Sequence, residues 1–202
     1  MEIKGKNEVL SGGVWIEEIN NAAHKEFEKY QSAFKNGFVK IMPHAAVFPR
    51  CFASYVKQIQ DFEVREDDIY VASFPKCGTT WTQEMVWNIC NNLDFEKAKS
   101  GTLEERMPFI EVSGLWSSPL SAESKAMTMP EMTDSLNLAG NMPLSEPRLL
   151  KTHLPYDMLP KQVRDKKPLI IYICHKEPLR CRRIIVQSLE GVGRIYRLTD
   201  YT

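Results

Sequence analysis

An α/β fold with a parallel sheet flanked by helices is the class this sequence predicts, and three observations predict it. The run Ile69 to Phe74 is short and apolar, and a glycine-containing loop separates it from a stretch with helical periodicity. Pro168 to Cys174 is almost wholly apolar, as in strands buried on both faces of a parallel sheet. Arg148 to Lys151 forms a third strand-like run, so strands alternate with helical stretches along the chain.

The first fifty residues read as a peripheral front end. Within them, Ile19 to Phe34 alternates charged and apolar residues at helical spacing, and Pro43 to Pro49 breaks that pattern. Asp61 to Asp68 is acidic and expected on the surface. After the first strand, Met85, Val86, Ile89, Cys90 and Leu93 fall at i, i+1, i+4, i+5 and i+8, which marks one face of a helix. Ser113 to Ser145 is rich in Met, Ser and Pro with weak periodicity, which suggests loops and short helices over a site. No repeat or linker divides the chain, so residues 1–202 read as one domain.

Composition excludes several function classes. The 202 residues are 43% hydrophobic and 26% charged with zero formal net charge, a soluble globular balance that points to no nucleic acid partner. No apolar run approaches the roughly 18 residues of a membrane span, and the first residues are polar, so no membrane partner and a cytoplasmic location are expected. Cys51, Cys77, Cys90, Cys174 and Cys181 are scattered without a CxxC pair, which favours free thiols over disulfides or a zinc site. No metal is expected.

The loop itself reads Ser-Phe-Pro-Lys-Cys-Gly-Thr-Thr-Trp from Ser73 to Trp81. A strand-to-helix loop presents unpaired N–H groups and the positive end of the helix dipole, which together attract an anion. Gly78 permits close backbone approach, Thr79 and Thr80 offer hydroxyls, and Lys76 supplies a full charge. In the nucleoside-triphosphate loop GxxxxGK[ST] the lysine follows the glycine, whereas Lys76 precedes Gly78, so an ATP loop is disfavoured. Spacing alone also permits a plain polar turn with a helix cap.

Longer motifs carry a resemblance. "FPKCGTTW" resembles the 5′-phosphosulfate-binding loop of the cytosolic sulfotransferases, which usually has Ser where this chain has Cys77. "RLLKTHLPYDMLP", Arg148 to Pro160, resembles the strand and loop that carry the family's catalytic histidine. "RMPFIE", Arg106 to Glu111, resembles a segment lining the acceptor pocket, and the flanking strands also match, so the likeness runs from about Asp61 to Cys174.

The resemblance implies transfer of a sulfuryl group from 3′-phosphoadenosine 5′-phosphosulfate (PAPS), without a metal, to a small-molecule alcohol, phenol or amine. It makes Lys76, Lys151 and His153 the catalytic residues, with Lys76 on the bridging oxygen. Lys76, Cys77, Gly78, Thr79 and Thr80 form the donor-binding loop, and Trp81 packs on the adenine. His153 becomes the general base, since imidazole titrates near neutrality, and Lys151 lies on the same strand face. Phe109 lines the acceptor pocket together with Lys151 and His153; Phe109 and Trp116 also fit a plain core role. His24, His44 and His175 receive no role.

After Cys174 the likeness ends. The family continues as Arg-Asn-Pro-x-Asp-Val-x-Val-Ser, whose Arg and Ser bind the donor's 3′-phosphate, whereas this chain reads "HKEPLRCRRIIVQSLEGVGRIY". Codons for Arg180 to Ile184 can be written so that a one-nucleotide shift spells Asp-Val-Ala-Val-Ser, so residues 175–202 read as a shifted-frame, aberrant tail on a truncated domain. An ordinary divergent C-terminus is the alternative. The resemblance also allows a homodimer, but the family's dimer-forming segment would lie beyond Thr202. An inactive or ligand-binding-only fragment, lacking the 3′-phosphate clamp, is the rival to an active enzyme.

Overall fold

The computed structural model describes residues 8–10, 13–19, 21–22, 25–26, 29, 37–115, 134–175, 182–187 and 194–197. Most of the helix expected over Ile19 to Phe34, Trp116, and much of the tail after residue 175 lie outside the described residues.

The three expected strands form, and they are adjacent. Strand β5 (Ile69–Ser73) lies between β6 (Leu149–Thr152) and β7 (Leu169–His175), parallel to both. Alternation along β5 divides its side chains between two apolar clusters, with Tyr70 and Ala72 on one face and Val71 on the other. Leu149 and Leu150 in β6, and Ile170 and Ile171 in β7, divide in the same way. Both faces are covered, and each buried Val, Leu or Ile contributes roughly 1.5–3 kcal/mol of transfer free energy. Two further strands, β8 (Arg182–Gln187) and β9 (Arg194–Arg197), continue the sheet antiparallel in the order β6-β5-β7-β8-β9.

The front end is not peripheral. Strands β1 (Glu8–Val9), β2 (Trp15–Glu18), β3 (Phe38–Met42) and β4 (Ala46–Pro49) form an antiparallel sheet of their own. Val14, Ile16, Val39 and Ile41 are buried in the same cluster as Tyr70 and Leu150. Val39 and Ile41 alternate with half-buried Phe38, Lys40 and Met42, a period-two signal that the mixed composition of the first fifty residues obscures. Phe52 and helix α1 (Val56–Gln60), through Val56 and Ile59, join the second sheet to that core.

Helix α2 (Thr79–Cys90) follows the loop and buries Thr82, Gln83, Val86 and Trp87. The expected apolar face is only partly used: Val86 packs inward, but Met85, Ile89, Cys90 and Leu93 are exposed. Trp87 decides the orientation, because its large ring packs into the cluster under β5 and β7 and turns the neighbouring apolar row outward. Among the described residues three short helices follow, α3 (Phe95–Lys99), α4 (Leu103–Arg106) and α5 (Ser135–Gly140), and α6 (Val163–Lys166) precedes β7. Helix α4 has a full capping box between Thr102 and Glu105, which offsets its short length.

A buried ion pair fixes where β6 begins. Arg148 and Asp68 are almost wholly buried and joined by two charge-assisted hydrogen bonds, Nε to Oδ1 at 2.7 Å and a terminal NH2 to Oδ2 at 2.6 Å. The remaining donors of Arg148 reach the carbonyls of Ala139 and Glu63. The acidic stretch expected on the surface therefore sends one carboxylate into the core. Among the described residues no helix is long and apolar enough to cross a membrane.

Candidate functional site

The C-terminal ends of β5 and β6 place the predicted site residues side by side, since the two strands are parallel and in register through Ala72 and Thr152. From β5 the chain turns through Lys76 at φ 67° and Gly78 at φ 92°, and Gly78 is the N-cap of α2. Glycine tolerates that left-handed conformation, and it leaves the first turn without a side-chain cap. Uncapped first-turn amides, the helix dipole and the exposed Lys76 therefore converge on one spot, which suits an anionic guest.

The loop residues differ in what they present. Lys76 and Thr80 are exposed, and Trp81 is 72% exposed. Cys77 is buried in the cluster with Val71, Val86 and Trp87, so its thiol points into the core rather than out of the loop. Thr79 is also buried, and its hydroxyl meets that of Ser73 at 2.5 Å.

His153 follows β6 directly. Its Nδ1 lies 2.8 Å from the Ser73 carbonyl and 3.2 Å from the Ser73 hydroxyl. A carbonyl can only accept, so Nδ1 carries the proton and the neutral ring leaves Nε2 with a free lone pair. Burial lowers the imidazole's affinity for a second proton, the bond to Ser73 opposes that change, and the charge of Lys151 reinforces it. The ring therefore sits below its ordinary 6.5 and is neutral near pH 7.

Lys151 is half-buried, and its ammonium is held below the ordinary 10.5, chiefly by desolvation. The charge of Lys76 acts in the same direction, which puts the loop lysine and the strand lysine within electrostatic reach of each other; Glu111 and Glu104 oppose. Phe109 lies between the side chains of Lys151, in β6, and His153, just past its end. Lys151 Nζ stands 4.4 Å from the centre of the Phe109 ring, and the His153 ring meets that ring edge-on at 5.1 Å. A cavity of about 580 Å3 opens at His153, between Ser73, Phe74, Leu154, Tyr156 and Tyr172. Of the three residues expected to line the acceptor pocket only His153 does so; Phe109 and Lys151 are not part of the lining, and Phe109 buttresses the histidine instead.

Two residues of the site were not singled out by the motifs. Ser73 ends β5 and touches both Thr79 and His153, so it joins the loop to the imidazole. Glu111 is buried and accepts a hydrogen bond from the His153 backbone N–H. Its signal was an acid closing the otherwise apolar run Met107-Pro108-Phe109-Ile110.

Comparison with known proteins gives this arrangement its relatives. The sulfotransferase domain family matches residues 66–177, more than half of the chain. Luciferin sulfotransferase of Photinus pyralis is 38% identical over 160 residues, covering 78% of this chain and 42% of that protein. Human sulfotransferase 1E1 is 32% identical over 131 residues, covering 65% of this chain and 39% of that protein. A crystal structure of retinol dehydratase in complex with retinol and PAP aligns with a TM-score of 0.66 at 26% identity, covering 81% of this chain and 52% of that one. The chain thus spans about half the length, or less, of these relatives. With its parallel β6-β5-β7 core, its strand-loop-helix turn and the family match across both, this chain belongs to the sulfotransferase family.

Proposed function

We propose that the chain transfers a sulfuryl group from PAPS to the hydroxyl or amine of a small molecule, with His153 as general base. The observation that carries this reading is the double contact of Ser73. Its hydroxyl bonds Thr79 in the first turn of α2, and both its hydroxyl and its carbonyl meet Nδ1 of His153, so the anion-attracting loop and the free Nε2 belong to one site. The retinol dehydratase structure holds PAP, the desulfated form of PAPS, and the curated relatives are named as sulfotransferases.

In this reading the Gly78 to Thr80 backbone and the Thr80 hydroxyl hold the donor's 5′-phosphate, and Cys77 contributes only its backbone. Trp81 offers an exposed ring face for the adenine. Nε2 of His153 takes the proton of the acceptor as its oxygen or nitrogen attacks sulfur, and Lys76 neutralises charge building on the bridging oxygen as the S–O bond to the phosphate breaks. Lys151 steadies the transferring group from the same face. The largely apolar cavity at His153 receives the acceptor. We place the reaction in the cytoplasm, where the free thiols of Cys51, Cys77, Cys90 and Cys174 stay reduced.

Residues 1–202 act in this proposal as one domain, family-like over about 61–174, with 175–202 outside the family pattern. A second reading, donor binding without turnover, is favoured by the family match stopping at residue 177, short of the Ser expected to bind the 3′-phosphate. Incubation of the full chain with [35S]PAPS and a panel of phenols, steroid-like alcohols and amines separates the two. A labelled product that requires His153 supports transfer; PAP binding in calorimetry with no product from any acceptor refutes it.

A further inference from the structure

Glu111 is the most deeply buried ionisable group beside the site, and the transfer scheme gives it no task. It lies 1% exposed, and among the described residues Oε2 has no hydrogen-bond partner. Burying a carboxyl group with half of its capacity unmet is costly.

The backbone around it supplies a task. Residues 108–111 run beside β6 for two hydrogen bonds only. Lys151 N–H donates to the Pro108 carbonyl at 2.9 Å, and Ile110 N–H donates to the Lys151 carbonyl at 3.1 Å. Phe109 pairs with Lys151 as an isolated parallel bridge. On a parallel edge the next donor facing this segment is two residues on, at His153. The carbonyl next in that ladder, Ile110's, instead accepts the Ser135 hydroxyl at 2.9 Å as the segment turns into the 3-10 helix Val112–Leu115. Glu111 Oε1 accepts the His153 N–H instead, a side-chain oxygen standing where a third ladder carbonyl would be.

Three contacts from two segments then hold His153. Glu111 takes its backbone N–H, the Ser73 carbonyl takes Nδ1–H, and Phe109 backs its ring edge-on. Resting on the reading of His153 as the base, we propose that Glu111 is a positioning residue whose Oε1 fixes the His153 peptide, so that Nδ1 stays on Ser73 and Nε2 faces the cavity. The carboxyl needs no charge for this, because its carbonyl-type oxygen still accepts when the group is protonated. Burial, the largest influence on it, pushes its pKa up to about 8 against the bond from the His153 N–H and the charge of Lys151. A neutral amide should therefore replace it, and a residue without an acceptor, or with one set too far back, should not.

The test is 15N NMR of imidazole-labelled full chain, with the His153 signals identified by their loss in His153→Asn. Wild type and Glu111→Gln should both show the Nδ1–H tautomer favoured roughly tenfold, the preference expected from one good hydrogen bond. Glu111→Leu and Glu111→Asp should lose that preference towards about one to one, since the Asp oxygen falls about 1.5 Å short of the amide. Should Glu111→Leu fail to fold by circular dichroism, the Asp variant, which keeps an acid at the position, decides the matter. An unchanged tautomer ratio in the Asp variant, or in a folded Leu variant, overturns the role of Glu111 while leaving the base intact. A wild-type ring carrying its proton on Nε2 overturns both. Sulfuryl transfer surviving in His153→Ala removes the base alone, because the tautomer comparison does not depend on turnover.

Discussion

Replacing Glu111 by Gln should make the stability of the chain less sensitive to rising pH. The carboxyl is fully enclosed, and burial raises it from the ordinary 4.5 to about 8. Between those values the folded chain keeps a proton that the unfolded chain has lost. Its contribution is therefore complete below about 4.5 and is lost as pH rises through about 8. At about 1.4 kcal/mol for each pH unit, the wild type should lose roughly 3–4 kcal/mol between pH 5 and pH 8 from this group, and the Gln variant none of it. His153, held below 6.5, acts with the opposite sign, adding stability as pH rises to 6.5, but it does so in both proteins. A side-chain amide set where Oε2 lacks a partner carries its own cost of about 1–3 kcal/mol, so the informative quantity is the change in the difference between proteins and not its value at one pH. Urea denaturation of both proteins at pH 5, 6, 7 and 8 measures it. A wild-type-minus-variant difference that moves by less than about 1 kcal/mol across that range would refute the argument that this carboxyl is protonated by burial.

The remaining predictions concern chemistry and folding. His153→Ala and Lys76→Ala should each abolish sulfuryl transfer from PAPS, measured by labelled product; retained turnover in either contradicts its assigned role. Where the chain turns over, kcat/KM should fall on the acid side with a midpoint below 6.5, because the base must be neutral to accept a proton and its ring is held below that value. A midpoint above 6.5 would rule out this imidazole as the titrating group. Arg148→Met leaves Asp68 buried without its counter-ion and should cost about 3–5 kcal/mol in urea denaturation. A loss under about 1 kcal/mol would mean that the pair does not fix the start of β6.

Much of the site was legible because it is local in the chain. The order of strand, loop and helix from Ile69 to Cys90, and the pair Lys151 and His153 at the end of β6 and just past it, follow from periodicity and motif without any long-range information. The front sheet was not legible, since its strands are only two to five residues long and alternation over so few positions does not stand out. The outward turn of Met85 and Ile89 was hidden for another reason: one helix can offer two apolar rows, and the packing of Trp87 chooses between them.

The sequence by itself determined the parallel core and the residue types of the strand-to-helix loop and of position 153, because side-chain period and motif are properties of neighbouring residues. Only the tertiary structure decided which side chains serve them. Ser73 meets a histidine eighty positions away, and Glu111 meets the same residue's amide across forty-two, contacts that depend on the register of β5, β6 and segment 108–111. It also turned Thr79 and Cys77 inward, since burial under the loop is set by what packs beneath it and not by the letters of the loop itself.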